Sequence, residues 1–597
     1  MCVDPTSRDG EGYTQLMPVC VCAPVAARLI HHLLWVCLAA SWTPLLVLVL
    51  AMSSTAAGGL GNEVDYEVLR PGFHLTPQRN WMNDPNGPLQ LGDQYHLFFQ
   101  YNPEGVTWGD IHWGHAISQD MLHWEEVAVA LSPGPQHYDE QGVWSGSAFV
   151  VRDALTAKAS GFPEGTVLQY YTGVSHQEAF PFGETQNVAY STGEDPLLLH
   201  WAKAPENPLL EGPPTPDLGN FTGFRDPAVW QQHLSKEGDG AQFIMVVGGG
   251  LQEQGGVVFV YDSVDLLHWT SRGLMLHATG PTIDGAIWEC PDVFLGRWVD
   301  PQAQWAVLSS SIIPEPDIPQ RHVYHLFGVL DEGQLRFLPD SGDSSPQDWR
   351  LSDHGNYYAG KSFTRTLRRD PPQQQQIMYG WSTTELLHNS TESRQLGWAG
   401  VQAIPRVMSL LVTHDSGEKL LQQIPIPELE DCRHPLGDSV DHQEVSLPWV
   451  WTGVYGRQLD LHLTIDLSKS TVTSFYLDVL CGPSECTRIL VELGEGKAGS
   501  SPTLSVERSS SSLLMGPNTS PVSGSIPAAA LEHSSTLDIR VLVDHSIVEI
   551  FAAHYTFVLT TRVYPVAPDS EAVRLSPSSP THTGVLFLTT AQAFSVQ

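Results

Sequence analysis

The sequence of 597 residues carries 30 basic and 66 acidic side chains, which gives a formal net charge of −36. A chain of this length can bury the cores of two or more domains. So negative a charge repels phosphate backbones and anionic membrane surfaces. Composition therefore argues against a nucleic-acid partner, and it favours a neutral small-molecule substrate and an acidic working compartment.

The first predicted element is an apolar segment near the N-terminus. Arg28 precedes an apolar run over residues 29–52, and small residues follow it. Ser54 and Ala56 fit the −3 and −1 positions of a signal cleavage site, but the run is also long enough to span a bilayer as an uncleaved anchor. We expect residues 1–57 to be a signal peptide or a signal anchor with an N-terminal extension, and the rest of the chain to enter the secretory pathway.

A short motif then recurs along the chain. Each copy has an aspartate (Asp120, Asp195 or Asp265), then leucines, then a His-Trp pair; the copies are SQDMLHW, GEDPLLLHW and SVDLLHW. A fourth, degraded copy is QDWR around Trp349. The spacing of roughly 70 residues fits a blade of four short strands, although chance recurrence in an aromatic-rich chain is the alternative. We predict an all-β fold that starts with a five-bladed β-propeller over residues 64–425.

A second domain is predicted after a segment rich in proline and acidic residues, IPIPELEDCRHPLGD. We expect a linker over residues 426–444 and a two-sheet β-sandwich over residues 445–597, because runs such as LDLHLTID and TLDIRVLVDHSIVEIF alternate apolar and polar residues. The apolar side chains of DHSIVEIF are expected to pack between the two sheets. The serine-rich stretch over residues 500–525 is expected to be a long surface loop.

Cysteines and glycosylation sequons give weaker signals. Beyond the apolar segment the cysteines are Cys290, Cys432, Cys481 and Cys486. No spacing among them resembles a zinc site; we expect Cys290 to be free and one disulfide among the other three, with the pairing left open. Three sequons are candidates for N-glycosylation, namely Asn220, Asn389 and Asn518.

Three acidic residues stand in ordered motifs of the predicted propeller. They are Asp84 in NWMNDPNGP, Asp226 in GFRDPAVW and Glu289 in IWECPD. Taken singly, the first motif reads equally well as a turn and the second as a surface ion pair. Taken together, Arg225 would lower the pKa of Asp226, and the apolar neighbours of Glu289 would favour its protonated form. One ionised and one protonated carboxyl group are what the cleavage of a glycosidic bond requires.

In this order, the three motifs resemble those of glycoside hydrolase family 32, which contains invertases, fructan hydrolases and fructosyltransferases. The resemblance begins near residue 66 and includes FFQYNP, WGDIHWGHAIS, WSGSA, NYYAGKSF, GWAGVQAIPR and DHSIVEIF. It implies a five-bladed propeller followed by a β-sandwich, in agreement with the repeat. It also implies a plant-type acid invertase or fructan exohydrolase of the cell wall, the extracellular space or a vacuolar lumen, without a metal or an organic cofactor.

By this resemblance, three carboxyl groups divide the reaction. Asp84 would be the nucleophile, Glu289 the general acid/base, and Asp226 the residue that binds the fructosyl hydroxyls and stabilises the transition state. The positions that match the family's fructose subsite are Asn83, Gln100, Trp108, Trp144, Ser145, Arg225 and Tyr358. The reaction would be a double displacement that releases terminal non-reducing β-D-fructofuranosyl residues. No membrane contact beyond the possible N-terminal anchor is expected, and the oligomeric state is left open.

The resemblance weakens after the acid/base motif. Plant invertases carry a DDTKHDYY-like stretch there, whose aspartate and lysine help to hold the glucosyl unit of sucrose. This chain has PEPDIPQRHVYHLFG, in which Arg321 takes the place of the lysine and Ile318 that of the aspartate, with Asp317 one position away. Loss of that grip is a pattern of fructan exohydrolases, whereas a one-residue shift would restore Asp317. We expect sucrose hydrolysis; the alternatives are fructan trimming, then fructosyl transfer, then a non-catalytic sugar-binding protein.

Overall fold

The computed structural model describes residues 65–135, 137–214, 220–232, 242–277, 287–313, 322–342, 349–382, 391–494, 501–514, 516–579 and 584–597. The predicted signal segment, the stretch from Asp317 to Arg321 and the sequon at Asn389 lie outside these residues. Within the described ranges, no helix is both long and apolar enough to cross a bilayer.

The described residues between 80 and 425 form five antiparallel blades, each of four main strands. Blade I contains β1 (Asn80–Leu91), β2 (Gln94–Asn102), β3 (His112–Ser118) and β4 (Trp124–Glu126). Blade II contains β5 (Gly142–Val150), β6 (Val167–Val174), β7 (Glu184–Ser191) and β8 (Ala202–Lys203). Blade III contains β9 (Phe221–Gln232), β10 (Gln242–Leu251), β11 (Gly255–Ser263) and β12 (Thr270–His277).

The remaining two blades carry short additional strands. Blade IV contains β13 (Ile287–Leu295), β14 (Ala306–Ile313), β15 (His322–Asp331) and β16 (Arg336–Pro339), and β17 (Arg350–Leu351) pairs with β15. Blade V contains β18 (Tyr357–Leu367), β19 (Gln373–Ser382), β22 (Arg406–Val412) and β23 (Lys419–Pro425). Two short strands precede β22: β20 (Trp398–Ala399) runs parallel to β1 of blade I, and β21 (Val401–Gln402) pairs with β19.

The first strands of the five blades meet around one axis. β1 packs against β5, β5 against β9, β9 against β13 and β13 against β18, and β18 in turn contacts β1. This closed ring of contacts confirms the predicted five-bladed propeller. It also places equivalent positions of five distant sequence segments side by side, which is how the fold gathers a site.

The repeated Asp-Leu-His-Trp motif forms the turn between the third and fourth strands of blades I, II and III. In blade I, Asp120 Oδ1 accepts the backbone N–H groups of Leu122 (2.9 Å) and His123 (2.8 Å), and in blade III Asp265 accepts the equivalent pair. Such side-chain caps define the turn geometry. The motif therefore predicts blades correctly because it is a structural device, and it contributes nothing to the site.

The C-terminal domain is a sandwich of two six-stranded sheets in the described residues. The first contains β24 (Arg433–Ser446), β26 (Gln458–Asp466), β31 (Thr536–Asp544), β32 (Ile547–Ala552), β33 (Phe557–Arg562) and β35 (Val585–Val596). The second contains β25 (Trp449–Tyr455), β27 (Ser474–Cys481), β28 (Thr487–Glu492), β29 (Thr503–Glu507), β30 (Val522–Ser525) and β34 (Ala572–Pro577). Leucine, isoleucine and valine side chains from both sheets fill the space between them.

Two expectations for this half of the chain are wrong. The predicted linker over residues 426–444 already contains most of β24, an edge strand paired with β35. The sequence did not predict this strand because most of its side chains are exposed and it contains Pro435, features that are common in edge strands. The serine-rich stretch contains β29 and β30, in which polar residues alternate with buried Leu504, Val506 and Val522.

Helices are few and short among the described residues. The α-helices are α1 (Ala154–Ser160) and α2 (Thr391–Leu396), and the 3-10 helices are Tyr66–Leu69, Gly296–Trp298, Pro427–Glu430 and Ala528–Leu531. Asp153 caps α1 by accepting the backbone N–H of Thr156, and Gly161 ends it with a left-handed conformation (φ 76°).

The cysteine predictions are confirmed. Cys481 and Cys486 form a disulfide between β27 and β28, while Cys290 and Cys432 are free and Cys290 is buried. Asn220 and Asn518 are both exposed.

A buried ionic network joins the propeller to the sandwich. His74 hydrogen-bonds Asp544 (2.8 Å) and Glu549 (3.1 Å), and Arg406 of β22 pairs with the same Glu549 (3.0 Å) and with Asp353 (2.9 Å). Burial lowers the pKa of His74, but the two carboxylates outweigh it and raise the pKa to about 9.

In DHSIVEIF, Val548 and Ile550 pack between the sheets as expected. Asp544 and Glu549 of the same motif belong to the ionic network instead, a role that the sequence did not reveal.

Candidate active site

All five inner strands carry a β-bulge in the stretch that holds the predicted site residues. The bulges lie at Asp84 in β1, Ser145 in β5, Asp226 in β9, Cys290 in β13 and Ala359 in β18. A bulge leaves an extra residue out of the ladder and redirects nearby side chains. The prolines that follow Asp84, Asp226 and Cys290 suit this position, since proline has no N–H to give to the ladder. The D-P-N-G segment is thus a bulge inside a strand, and the turn interpretation is wrong.

Asp84 is surrounded by neutral hydrogen-bond donors. Ser145 donates its hydroxyl to Oδ2 (2.6 Å), Asn83 donates its amide to Oδ1 (3.0 Å), and the amide of Gln100 lies 3.4 Å from Oδ2. Burial raises the pKa of Asp84, the hydrogen bonds from Ser145 and Asn83 lower it, and the charge of Glu289 raises it again, with a net rise. The carboxylate is therefore positioned by dipoles, and no cationic side chain of the described residues forms an ion pair with it.

Asp226 lies in a left-handed backbone conformation (φ 66°) and is fixed from the next blade. The backbone N–H of Cys290 donates to its Oδ2 (2.8 Å), and the Cys290 thiol lies 3.5 Å from the same oxygen. Burial raises the pKa of Asp226 and the charge of Glu289 raises it further, while Arg225 and Lys361 oppose them without prevailing.

Arg225 lowers the pKa of Asp226 as expected, but the effect does not prevail, and the hydrogen bonds of its guanidinium go to other carboxylates. Neighbouring residues of a strand point to opposite sides, so the guanidinium of Arg225 extends to Glu289, with Nε 3.0 Å from Oε1, and its Nη1 donates to Glu184. Burial alone would lower the pKa of Arg225, but the carboxylates of Glu289, Glu184 and Asp226 raise it, so the group remains a cation.

Glu289 is held by one cation and one phenol. Besides the bond from Arg225, the Tyr358 hydroxyl donates to its Oε2 (2.6 Å). The apolar neighbours that the sequence suggested do not surround the carboxyl group, because the Trp288 ring packs in the core that blades III and IV share and Cys290 faces Asp84 and Asp226. Consecutive side chains of β13 point in different directions, so residues next to Glu289 in the sequence need not contact its carboxyl group.

The Cys290 thiol shows how close the acidic groups are. Its sulfur lies 3.7 Å from Asp84 Oδ2 and 3.5 Å from Asp226 Oδ2, so these two oxygens are separated by no more than the sum of those distances. Burial raises the pKa of the thiol well above its usual value, and the charges of Asp226 and Asp84 add to the effect. The neutral thiol of Cys290 thus lies between the carboxyl groups of Asp84 and Asp226, and Glu289 is the residue that precedes it in the sequence.

Two tryptophans form the outer wall of the site. Trp108 is 50% exposed and donates its indole N–H to Gln100 (3.3 Å), whose own amide donates to Ser145 (2.6 Å). The Trp144 ring stands edge-on to Trp108 at 5.7 Å and lies 5.7 Å from the guanidinium of Arg225. The structure thus brings all ten predicted site residues into one network that runs from the buried carboxyl groups to the surface.

Sequence reasoning missed three residues that this network includes. Glu184 and Thr172 reach the β9 bulge from blade II, and the buried Lys361 of β18 donates to the carbonyl of Pro291 in the β13 bulge (3.2 Å). None stands next to a recognised acidic motif, and their contacts arise only when neighbouring blades pack. A polar residue within a buried strand, such as Thr172 in VLQYYTGV, was the one available signal.

Comparison with known proteins agrees with this geometry. The models of the glycosyl hydrolases family 32 N-terminal and C-terminal domains match residues 74–424 and 431–593. An acid beta-fructofuranosidase of Vicia faba is 32% identical over 547 residues, covering 85% of this chain and 78% of the relative, and one of Solanum lycopersicum is 31% identical. The crystal structure of fructan 1-exohydrolase IIa from Cichorium intybus superimposes with a TM-score of 0.73 at 25% identity, over 89% of this chain and 98% of that one.

Proposed function

Because this chain belongs to glycosyl hydrolase family 32, we propose that it is a retaining β-fructofuranosidase that removes terminal β-D-fructofuranosyl units, with sucrose as its substrate. One observation carries the proposal. Two carboxyl groups of the site have different partners: Asp84 is bound by neutral donors, whereas Glu289 is bound by a guanidinium and a phenol. A double displacement requires two carboxyl groups in one site, one held in place for attack and the other stabilised once it has given up its proton.

In the first step, Asp84 attacks the anomeric carbon of the fructosyl unit. The bond from that carbon to the leaving oxygen breaks, Glu289 gives its proton to this oxygen, and an ester to Asp84 forms. The hydrogen bonds from Ser145 and Asn83 hold the two Asp84 oxygens in place before attack, so little reorganisation is needed during the reaction.

In the second step, Glu289 takes a proton from water, whose oxygen attacks the same carbon and releases Asp84. Tyr358 and Arg225 stabilise the ionised Glu289 that exists between the two steps. Asp226 binds the fructosyl hydroxyls: both donors that reach it from the described residues meet Oδ2, which leaves Oδ1 for the sugar. Hydrogen bonds to the hydroxyls then strengthen as the ring approaches an oxocarbenium ion.

The test is hydrolysis by the purified full chain. With sucrose, we expect equal amounts of glucose and fructose between pH 4 and pH 7, and the variants Asp84→Asn and Glu289→Gln should be inactive while they melt like the wild type. Asp93→Asn is the matched control, because Asp93 is an exposed aspartate just after β1. Glucose in excess over fructose would indicate transfer to a second sugar, and binding without turnover of any fructoside would contradict the proposal.

A fructan substrate is the second candidate. The departure at Ile318 and the similarity to the chicory fructan 1-exohydrolase favour it. Comparing kcat/KM for sucrose, 1-kestose, inulin and levan distinguishes an invertase from a fructan exohydrolase. Side chains that bind the glucosyl unit next to the cleaved bond would raise kcat/KM for sucrose alone. A kcat/KM for 1-kestose well above that for sucrose would replace the invertase proposal with the exohydrolase one.

We further propose that the protein matures in the secretory pathway. The disulfide between Cys481 and Cys486 suits an oxidising compartment, and two exposed sequons, at Asn220 and Asn518, are accessible to glycosylation. Expression in a eukaryotic host should give a protein whose mobility increases after N-glycan removal, and N-terminal sequencing decides between cleavage and an anchor. An unglycosylated cytosolic product would contradict this proposal.

A further inference from the structure

Blade II holds the bulge of β9 through three hydrogen bonds, and a fourth bond within blade II joins two of the residues that make them. Glu184 Oε2 accepts the N–H of Phe224 (2.6 Å), and the Gln186 amide donates to the carbonyl of Phe224 (2.7 Å). The N–H of Asp226 donates to the Thr172 hydroxyl (2.8 Å), which donates in turn to Gln186 (3.0 Å). Thr172 and Gln186 are fully buried. The clamp thus holds the backbone on both sides of Arg225, including the left-handed conformation of Asp226.

Glu184 differs from the other clamp residues because it also binds a side chain of the site. Its Oε1 accepts a hydrogen bond from Arg225 Nη1, while Arg225 Nε donates to Glu289 (3.0 Å). The three side chains are between 12% and 16% exposed. One guanidinium therefore lies between two carboxylates in a largely buried place, with the face of Trp144 at 5.7 Å from it.

We propose that Glu184 is a positioning residue of the active site, which fixes the guanidinium of Arg225 against Glu289 and shares its positive charge. The inference rests on the proposed function, because it assigns Glu184 a role through the proton donor of that reaction. Without Glu184, the positive charge of Arg225 would act on Glu289 without the nearby negative charge that now offsets it. With Glu184, the cation still orients Glu289, while the Glu184 carboxylate offsets part of its positive charge.

Several other ionisable groups belong to the same site as Glu289. They are Asp84 of β1, Asp226 of β9, Cys290 of its own strand, and Tyr358 and Lys361 of β18. Each would be unchanged in a Glu184 variant, and Glu184 makes its link to Glu289 through Arg225. A change in the titration of activity on altering Glu184 is therefore attributable to this shared cation.

The test compares pH profiles of kcat/KM for Glu184→Gln, Glu184→Asp, a control and the wild type. Hydrolysis of sucrose, or of 1-kestose if that is the better substrate, should lose activity on the alkaline side about one pH unit earlier in Glu184→Gln. Glutamine keeps the shape but loses the charge and one acceptor. Glu184→Asp keeps the charge but cannot reach both Arg225 and the Phe224 N–H, so a smaller shift in the same direction is expected. Glu206→Gln removes an equal charge from an exposed position of the same blade and should not shift the profile.

The outcomes separate this inference from the proposed function. Absence of hydrolysis in the wild type would contradict the proposed function itself. An active wild type whose alkaline limb stays in place in both Glu184 variants, or moves to higher pH, would contradict the role of Glu184 alone. If Glu184→Gln does not fold, which its melting curve shows, the aspartate variant decides by the same criterion. A loss of kcat without a shifted limb would indicate a purely structural clamp.

Discussion

The hydrogen bond between Ser145 and Asp84 offers a sharp test of how the nucleophile is kept ionised. Ser145 is fully buried, and its hydroxyl donates to Asp84 Oδ2 at 2.6 Å. This bond opposes the effect of burial on the pKa of Asp84. In Ser145→Ala, the carboxylate loses its shortest donor, so its pKa should rise.

The size of the rise follows from the geometry. A hydrogen bond to a charged group contributes about 1.5–3 kcal/mol, and a change of one in pKa corresponds to about 1.4 kcal/mol, so the pKa of Asp84 should rise by about one to two. The Gln100 amide now donates to Ser145 at 2.6 Å and lies 3.4 Å from the same Asp84 oxygen. In the variant this amide can donate to Asp84 instead and replace part of the lost hydrogen bond. We therefore expect the pKa of Asp84 to rise by about one, the lower end of the range.

The assay is the pH profile of kcat/KM on a fructoside, read on the acidic side. Activity requires ionised Asp84 and is lost as the pH falls through its pKa, so a higher pKa moves the acidic limb to higher pH. At a pH below the limb, a variant whose Asp84 pKa has risen by about one should show a kcat/KM about tenfold lower than that of the wild type. Ser147→Ala is the control, because Ser147 lies in the same strand and accepts a backbone N–H of β9 at 3.1 Å, with no carboxylate involved.

An acidic limb that stays in place in Ser145→Ala would refute this reasoning, provided that the variant melts like the control. A limb that moves to lower pH would refute it more strongly. Either result would mean that another group keeps Asp84 ionised.

Two further predictions concern Tyr358 and His74. Tyr358→Phe removes a donor to Glu289 and should move the alkaline limb of kcat/KM about one pH unit higher; movement to lower pH would contradict the assignment of the phenol as a stabiliser of the ionised form. Because the pKa of His74 is about 9 in the fold and about 6.5 in an unfolded chain, its contribution to stability is complete below pH 6.5 and is lost as the pH rises to 9. The free energy of unfolding, from urea titrations at pH 6 and pH 9.5, should fall by up to about 3 kcal/mol more in the wild type than in His74→Gln, and parallel losses in both proteins would contradict it.

Motifs fixed by local chemistry were predictable from the sequence. The Asp120 turn and its copies mark the ends of third strands, so their spacing reports the blades. Proline after Asp84 or Asp226 marks a bulge, although the residues alone allowed a turn as well. The ordered motifs were then sufficient to select ten residues that do lie together.

Contacts made by packing between distant strands were not predictable. Glu184 reaches Arg225 because blades II and III pack together, and nothing near it in the sequence marks that contact. Arg225 and Trp288 were misplaced by an assumption that sequence neighbours touch, whereas strand alternation sends them to opposite sides. Strand alternation also explains why the role of Glu549 at the domain interface was not predicted. Its neighbours in the strand pack in the sandwich core, whereas Glu549 lies on the opposite face.

The central claim, that Asp84 carries the fructosyl unit between the two steps, is tested most directly by trapping that ester. β-D-Fructofuranosyl fluoride needs no proton donor to lose its leaving group, so Glu289→Gln should form the ester and then fail to activate water. Peptide mass spectrometry of the quenched variant should find one fructosyl unit on the peptide that contains Asp84, and none in Asp84→Asn/Glu289→Gln. A fructosyl unit on another residue, or equal labelling of the double variant, would contradict the account.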